Sequence, residues 1–111
     1  MAKDRKAQKT VVLNLEKLAA FCDFFVIMSG TSGRHIAGLA EAIKEELFRD
    51  RIKPLFGGSL SQGPESGWVV LDYASVVVHI FMKPQREFYS LERLWQDAKR
   101  VRIPSRRNKP R

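Results

Sequence analysis

The chain has one cysteine, two histidines, and no apolar run near the roughly 20 residues that a membrane-spanning helix needs. A lone Cys22 excludes an internal disulfide and any zinc site made from several cysteines of one chain. Cysteine this sparse fits a reducing compartment, so a cytoplasmic location is expected. Met1-Ala2-Lys3-Asp4-Arg5-Lys6 is basic but is followed by no apolar stretch, so it does not read as a secretory signal. No Gly-Lys-Ser/Thr ending follows any glycine-rich turn, which removes a P-loop, and the glycines are misplaced for a dinucleotide fingerprint.

Acid is also scarce where the chain ends. Residues 1–9 carry a net +3 and residues 99–111 a net +7, so the total of +8 leaves −2 for residues 10–98. The division expected is a basic N-terminal segment 1–9, one α/β domain over 10–98 and a flexible basic tail over 99–111. Such tails either solvate a terminus or touch polyanions without sequence preference.

What is present is an alternation of apolar runs and turn residues. Thr10–Leu15 and Asp23–Met28 read as strands, the second continuous enough to be buried. Ser29-Gly30-Thr31-Ser32-Gly33 breaks the second strand, and Thr31 or Ser32 can cap the helix that follows. Ile36, Leu39, Ala40, Ile43 and Leu47 recur at helical spacing on one stripe. Glu41 with Lys44, and Glu45 with Arg49, are expected pairs on its solvated side. Lys53–Phe56 reads as a short extended segment and Gly57–Gly67 as a loop. Trp68–Tyr73 and Val76–Met82 form a hairpin around Ala74-Ser75. Ser90 is expected to cap a last helix carrying Leu91, Leu94, Trp95 and Ala98. The expected order is β-β-α-β-β-β-α, a mixed central sheet flanked by helices.

With a two-residue turn, Trp68 faces Phe81 and Asp72 faces Val77. Side chains alternate along a strand. One hairpin face then carries Val69, Leu71, Tyr73, Val76, Val78 and Ile80 and belongs against a helix. The other carries Trp68, Val70, Asp72, Val77, His79 and Phe81. Two readings of this second face stay open. In one, the last helix covers it and His79 bonds to Asp72. In the other it is a partner-binding patch anchored by aromatics and extended by Arg86, Tyr89 and Trp95.

Catalytic constellations are thin. Gly30-Thr31-Ser32 between strand and helix could cradle a phosphate on backbone amides, and this unit is similar to the opening of the nucleotidyltransferase fold. Those enzymes need paired carboxylates for two metal ions, and Lys53–Phe56 holds no acid. His79 and Asp72 have no nucleophile beside them. His35 sits on a first helical turn, where a solvated or capping role is expected. Cys22 has no activating partner and reads as a packed thiol.

Two blocks together carry a resemblance. The first is Asp23-Phe24-Phe25-Val26-Ile27, Ser29-Gly30-Thr31-Ser32 with Arg34-His35, and Ala40-Glu41-Ala42-Ile43. The second is Trp68–Tyr73, Val76–Phe81 and Arg86–Trp95. The sequence closely resembles the ribosomal silencing factor (iojap-like) family over roughly residues 8–98. The resemblance implies a nucleotidyltransferase-like fold without catalysis or cofactor. It also implies binding to large-subunit ribosomal protein fourteen, which blocks subunit joining and represses translation, and pairing of free copies. It places Trp68, Asp72, His79, Phe81, Arg86, Tyr89, Leu91 and Trp95 on the partner surface. The basic tail lies outside it and is expected to contact ribosomal RNA. Two departures stand out. The family usually has Gly-Asp where this chain has Ala74-Ser75, and Gly57–Gly67 holds only Glu65 where the family is more acidic. The alternatives are a nucleotidyltransferase-like enzyme and a nonspecific RNA-binding protein.

Overall fold

A computed structural model describes residues 7–53 and 67–102. Residues 1–6 of the expected basic segment 1–9, residues 54–56 of the expected strand, loop residues 57–66 and tail residues 103–111 lie outside the described residues. In chain order the elements are β1 (Gln8–Asn14), β2 (Phe24–Gly30), α1 (Gly33–Phe48), β3 (Trp68–Asp72), β4 (Val76–Met82), α2 (Lys83–Tyr89), α3 (Leu91–Leu94) and β5 (Lys99–Val101). The strands form one sheet in the order β3-β4-β2-β1-β5. β2 and β4 run parallel, and the other neighbours are antiparallel. The class is α/β with a mixed sheet, as the patterning predicts.

Alternation sends each strand's side chains to two unequal faces. On one, Val69, Leu71, Val78, Ile80 and Met28 pack against the α1 stripe of Ile36, Leu39, Ala40 and Ile43. On the other, Leu13, Phe25, Ile27 and Phe81 form a second cluster with Leu15 and Cys22. That cluster is flanked by Trp68, Leu91, Trp95 and Ala98. Removing this apolar area from water is what holds both layers to the sheet.

α1 starts where its cap residues dictate. Ser32 has extended backbone angles, and its Oγ accepts from the His35 amide at 3.0 Å. His35 returns the bond, its Nδ1 accepting from the Thr31 amide at 2.8 Å. The pair is related to a capping box, but the return bond reaches the residue before the N-cap and an imidazole replaces the usual carboxylate or amide. Gly30 permits the close turn, since a Cβ there would lie 2.8 Å from Ile36 Cγ2.

The hairpin has the expected register, with Trp68 opposite Phe81 and Asp72 opposite Val77. Its turn is closed by the Tyr73 amide donating to the Val76 carbonyl at 2.8 Å. Asp72 Oδ1 accepts from the Ala74 amide at 2.8 Å. The Ser75 carbonyl accepts from the amides of Asp23 and Phe24, which fixes the start of β2 beside the hairpin tip.

Four expectations need correction. Residues 83–89 are a helix that periodicity does not announce, because its one buried side chain is the charged Arg86. Pro84 in its first turn, where a missing N–H costs nothing, was the available signal. Ser90 holds the N-cap position of the last helix, but its side chain does not cap it: the residue is also the C-cap of α2 in the left-handed region, and its hydroxyl donates back to the Glu87 carbonyl at 2.6 Å. The last helix is therefore one turn, Leu91–Leu94. Lys99–Val101, assigned to the tail, pair with β1 as a short edge strand. Its residues are all exposed and two are basic, a composition that discourages further strands from adding. Finally, Arg49 pairs with Glu46 at 3.2 Å and not with Glu45, while Glu41–Lys44 forms at 3.0 Å.

Ala74 holds φ at 72°. A side chain there crowds the following carbonyl, at a cost of about 1–2 kcal/mol, and two-residue hairpins favour glycine at such positions. Ala74→Gly should therefore stabilise the fold by about 0.5–1 kcal/mol after the added unfolded-state entropy is counted. A urea midpoint that falls in this variant would refute the strain.

Candidate functional site

The second sheet face carries an aromatic chain that runs from core to surface. Trp68 on β3 stacks on Phe81 of β4, with ring centres 5.0 Å apart, and meets Tyr89 of α2 at 4.5 Å. Tyr89 contacts Phe88 edge-on at 5.1 Å. In the other direction Trp68 lies 5.9 Å from His79, and His79 sits edge-on to Phe25 at 4.5 Å. Phe25 reaches Trp95 at 6.0 Å, and Trp95 reaches Phe21 at 6.0 Å. These are the offset and edge-to-face distances at which aromatic pairs attract beyond their area.

Its two ends are open. Phe88 is 80% exposed, Phe21 62% and Tyr89 43%. Leu94 is also exposed. Phe21 and Phe88 were not singled out in the sequence, and Leu94 was read there only as part of the last helix's apolar side. Sequence periodicity could not separate them from core residues, because exposure is set by how little of this face α3 covers.

The eight residues expected on a partner surface divide by depth. Tyr89 is exposed, and Trp68, Asp72, Leu91 and Trp95 are half-buried. Phe81 is wholly buried, His79 nearly so, and Arg86 is 9% exposed. In the free chain these three support the surface from beneath and do not form it. The physical reason is closure of the second core: Phe81 fills its centre, and Arg86 is drawn in by its partners.

Arg86 donates from Nε and Nη2 to the two oxygens of Glu92, at 3.0 and 2.9 Å. Its Nη1 donates to Ser29 Oγ at 2.8 Å. This fork joins α2, α3 and the end of β2. Glu92 is held below the usual carboxylate range, first by the hydrogen bonds from Arg86 and then by the positive charges of Arg86, Arg100 and Lys9 against the cost of burial.

His79 does not pair with Asp72. Its Nδ1 accepts from Trp68 Nε1 at 3.2 Å, which puts the neutral ring's proton on Nε2. Nε2 is buried with no hydrogen-bond partner among the described residues. Burial pushes the imidazole down to about 4, so it is neutral near pH 7 and part of the packing. Cys22 is buried, and its thiol is raised by that burial and then by Asp23 and Asp72. The turn after β2 uses its own amides: Thr31 donates to His35, His35 to the Ser32 hydroxyl and Ile36 to the Ser32 carbonyl. Of the amides that could cradle a phosphate at Gly30-Thr31-Ser32, the one of Thr31 is thus taken by the chain itself. Among the described residues no group of three His, Cys, Asp or Glu is placed to hold a metal ion.

The profile of the family described as "Ribosomal silencing factor during starvation" matches residues 1–111. The chain belongs to the ribosomal silencing factor family. It is 35% identical over 102 residues to ribosomal silencing factor RsfS of Halalkalibacterium halodurans, covering 90% of this chain and 83% of that protein. It is 33% identical to RsfS of Bacillus subtilis, covering 86% of this chain and 78% of that one. A Chromobacterium violaceum crystal structure superposes with a TM-score of 0.77 at 28% identity, covering 94% of this chain and 81% of that one. As a member of the silencing factor family, which includes the iojap proteins, the chain is a non-enzymatic regulator of translation.

The buried imidazole sets a pH dependence. In the unfolded chain His79 protonates near 6.5, and in the folded chain near 4. The unfolded state thus binds more protons between those values, so stability is complete above about pH 6.5 and falls as pH drops toward 4. The loss should reach about 3 kcal/mol. In His79→Gln, urea unfolding free energy should be flatter across that window; an unchanged slope would assign it to other groups.

Proposed function

We propose that this chain docks on the large ribosomal subunit through ribosomal protein fourteen. Its bulk there blocks joining of the small subunit and represses translation in the cytoplasm. Family membership supports the ribosome as target. The observation that carries the docking surface is the aromatic chain that reaches solvent at Phe88–Tyr89 and at Phe21–Trp95. Aromatic side chains of this kind give large rigid contact area and dominate interface energetics. Trp68, Asp72, Tyr89, Leu91 and Trp95 are assigned to the contact, with Phe21, Phe88 and Leu94 added. His79, Phe81 and Arg86 hold these in place. The same face, exposed in the free protein, is read as pairing two copies. We also read the β2–α1 unit and mixed sheet as a nucleotidyltransferase-like fold that lacks the carboxylate pair.

The test is co-sedimentation with separated ribosomal subunits. The Phe88→Ala, Tyr89→Ala double variant should lose at least about 2 kcal/mol of affinity for large subunits, roughly thirtyfold. Phe48→Ala removes an exposed aromatic at the end of α1 and should sediment like the parent. Equal binding by the double variant would overturn the surface assignment.

The basic tail supplies the second reading, a contact with ribosomal RNA phosphates that is blind to sequence. Neutralising Arg106, Arg107 and Lys109 to Gln should reduce the salt dependence of subunit binding by about two to three in log–log slope. If that variant abolishes binding while the aromatic variant does not, the chain is a nonspecific RNA binder and the docking proposal fails.

A further inference from the structure

A cleft of about 400 Å³ opens where the parallel strands β2 and β4 end. Crevices at the carboxyl ends of parallel strands are where α/β sheets bind small ligands. Its lining carries four cations, Lys9, Lys83, Arg86 and Arg93, against two acids, Glu87 and Glu92. Ser29 and the Arg86 guanidinium are its buried polar groups. A guanidinium has five N–H groups, and Arg86 commits three of them, to Glu92 and Ser29. Two have no partner among the described residues, on a charged group that is nine-tenths buried at the cleft wall.

The backbone around the cleft is unusual. Among the described residues four other than glycine have positive φ, and two of them, Lys9 at 48° and Ser90 at 49°, line this cleft. Lys9 lies in a register shift of β1 between Gln8 and Val11. Bulges of this kind re-aim a side chain, and the charge of Lys9 is felt by Glu92 across the cleft. Left-handed backbone on a side-chain-bearing residue costs energy and clusters at functional sites. Ser90, likewise, sets the corner from which Glu92 reaches Arg86.

We propose that this cleft binds a phosphate-bearing small molecule of mononucleotide size, held by Lys9, Lys83, Arg86 and Arg93. The net positive lining selects the anion, and the volume lies in the range of small-ligand pockets, about 300–1,000 Å³. Planar guanidinium donors match phosphate oxygens, and ammonium groups at the rim supply point charge. Binding involves no chemistry on the ligand and does not depend on how the chain docks on the ribosome.

The full chain, labelled with nitrogen-15, is titrated with ATP in EDTA, with inorganic phosphate and with adenosine. ATP should move the amide signals of Lys9, Ser29 and Ser90 saturably, phosphate should move the same signals more weakly, and adenosine should leave them unmoved. Lys9→Glu with Arg93→Glu, both exposed positions, should weaken ATP binding at least about tenfold with an unchanged melting temperature. Arg106, Arg107 and Lys109 changed to Gln should bind ATP like the parent. Adenosine acting like ATP, shifts that never saturate, or loss of binding in the tail variant but not the cleft variant would each overturn the proposal.

Discussion

The fork from Arg86 to Glu92 and Ser29 is the interaction on which the second layer depends. Burying a guanidinium costs several kcal/mol unless its donors are met. Here the bidentate carboxylate and the Ser29 hydroxyl meet three of them, across 57 residues of sequence in the case of Ser29. The bond does more than neutralise charge. α3 is a single turn, too short to bury a stripe of its own, and α2 buries no apolar side chain. The fork adds a polar anchor at the end of β2 to the apolar contacts that Tyr89, Leu91 and Trp95 make with the sheet. Removing Glu92 would leave Arg86 as an uncompensated buried charge.

That weak second layer explains the exposed aromatics. α1 gives its face of the sheet a complete cover of aliphatic side chains. The opposite face receives Leu15, Ala19 and Cys22 from the β1–β2 connection and Leu91, Trp95 and Ala98 from the C-terminal segment, together with Trp68 of β3. Large rings span the shortfall because each covers more area per residue than an aliphatic side chain, and because edge and face contacts let them chain together. A ring that bridges a gap has one side inside and one side out. Tyr89 and Trp95 are thus both packing residues and surface residues, which is why depth and exposure grade continuously along this face.

Much of this was legible in the sequence, and the exceptions share a cause. β2, the α1 stripe, both hairpin strands and their register follow from apolar periodicity and from a two-residue turn. α2 and β5 do not, because periodicity reads buried apolar residues and these elements bury Arg86 or nothing. The candidate site was legible as a set of residue types on one hairpin face. Its depth was not: alternation says which side a residue points to, but not whether a second layer lies over it. Phe81 and His79 were grouped with Trp68 for that reason, and only the position of α2 and α3 separates them. The family resemblance grouped these residues without deciding their depth.

The end of β2 shows how a fold can keep its geometry while its chemistry moves. A strand, a Gly-Thr-Ser turn and a helix present the amides that would bind phosphate in another protein. Here His35 takes the Thr31 amide and Ser32 takes those of His35 and Ile36. These three amides are spent on starting α1. The positive charge near this strand end lies on side chains, at Lys9, Lys83, Arg86 and Arg93. Side-chain donors on separate elements can tolerate substitution one at a time, whereas an amide cradle is fixed by the turn that makes it. An anion bound at this end would therefore report on the contacts among β1, α2 and α3, and not on the β2–α1 turn.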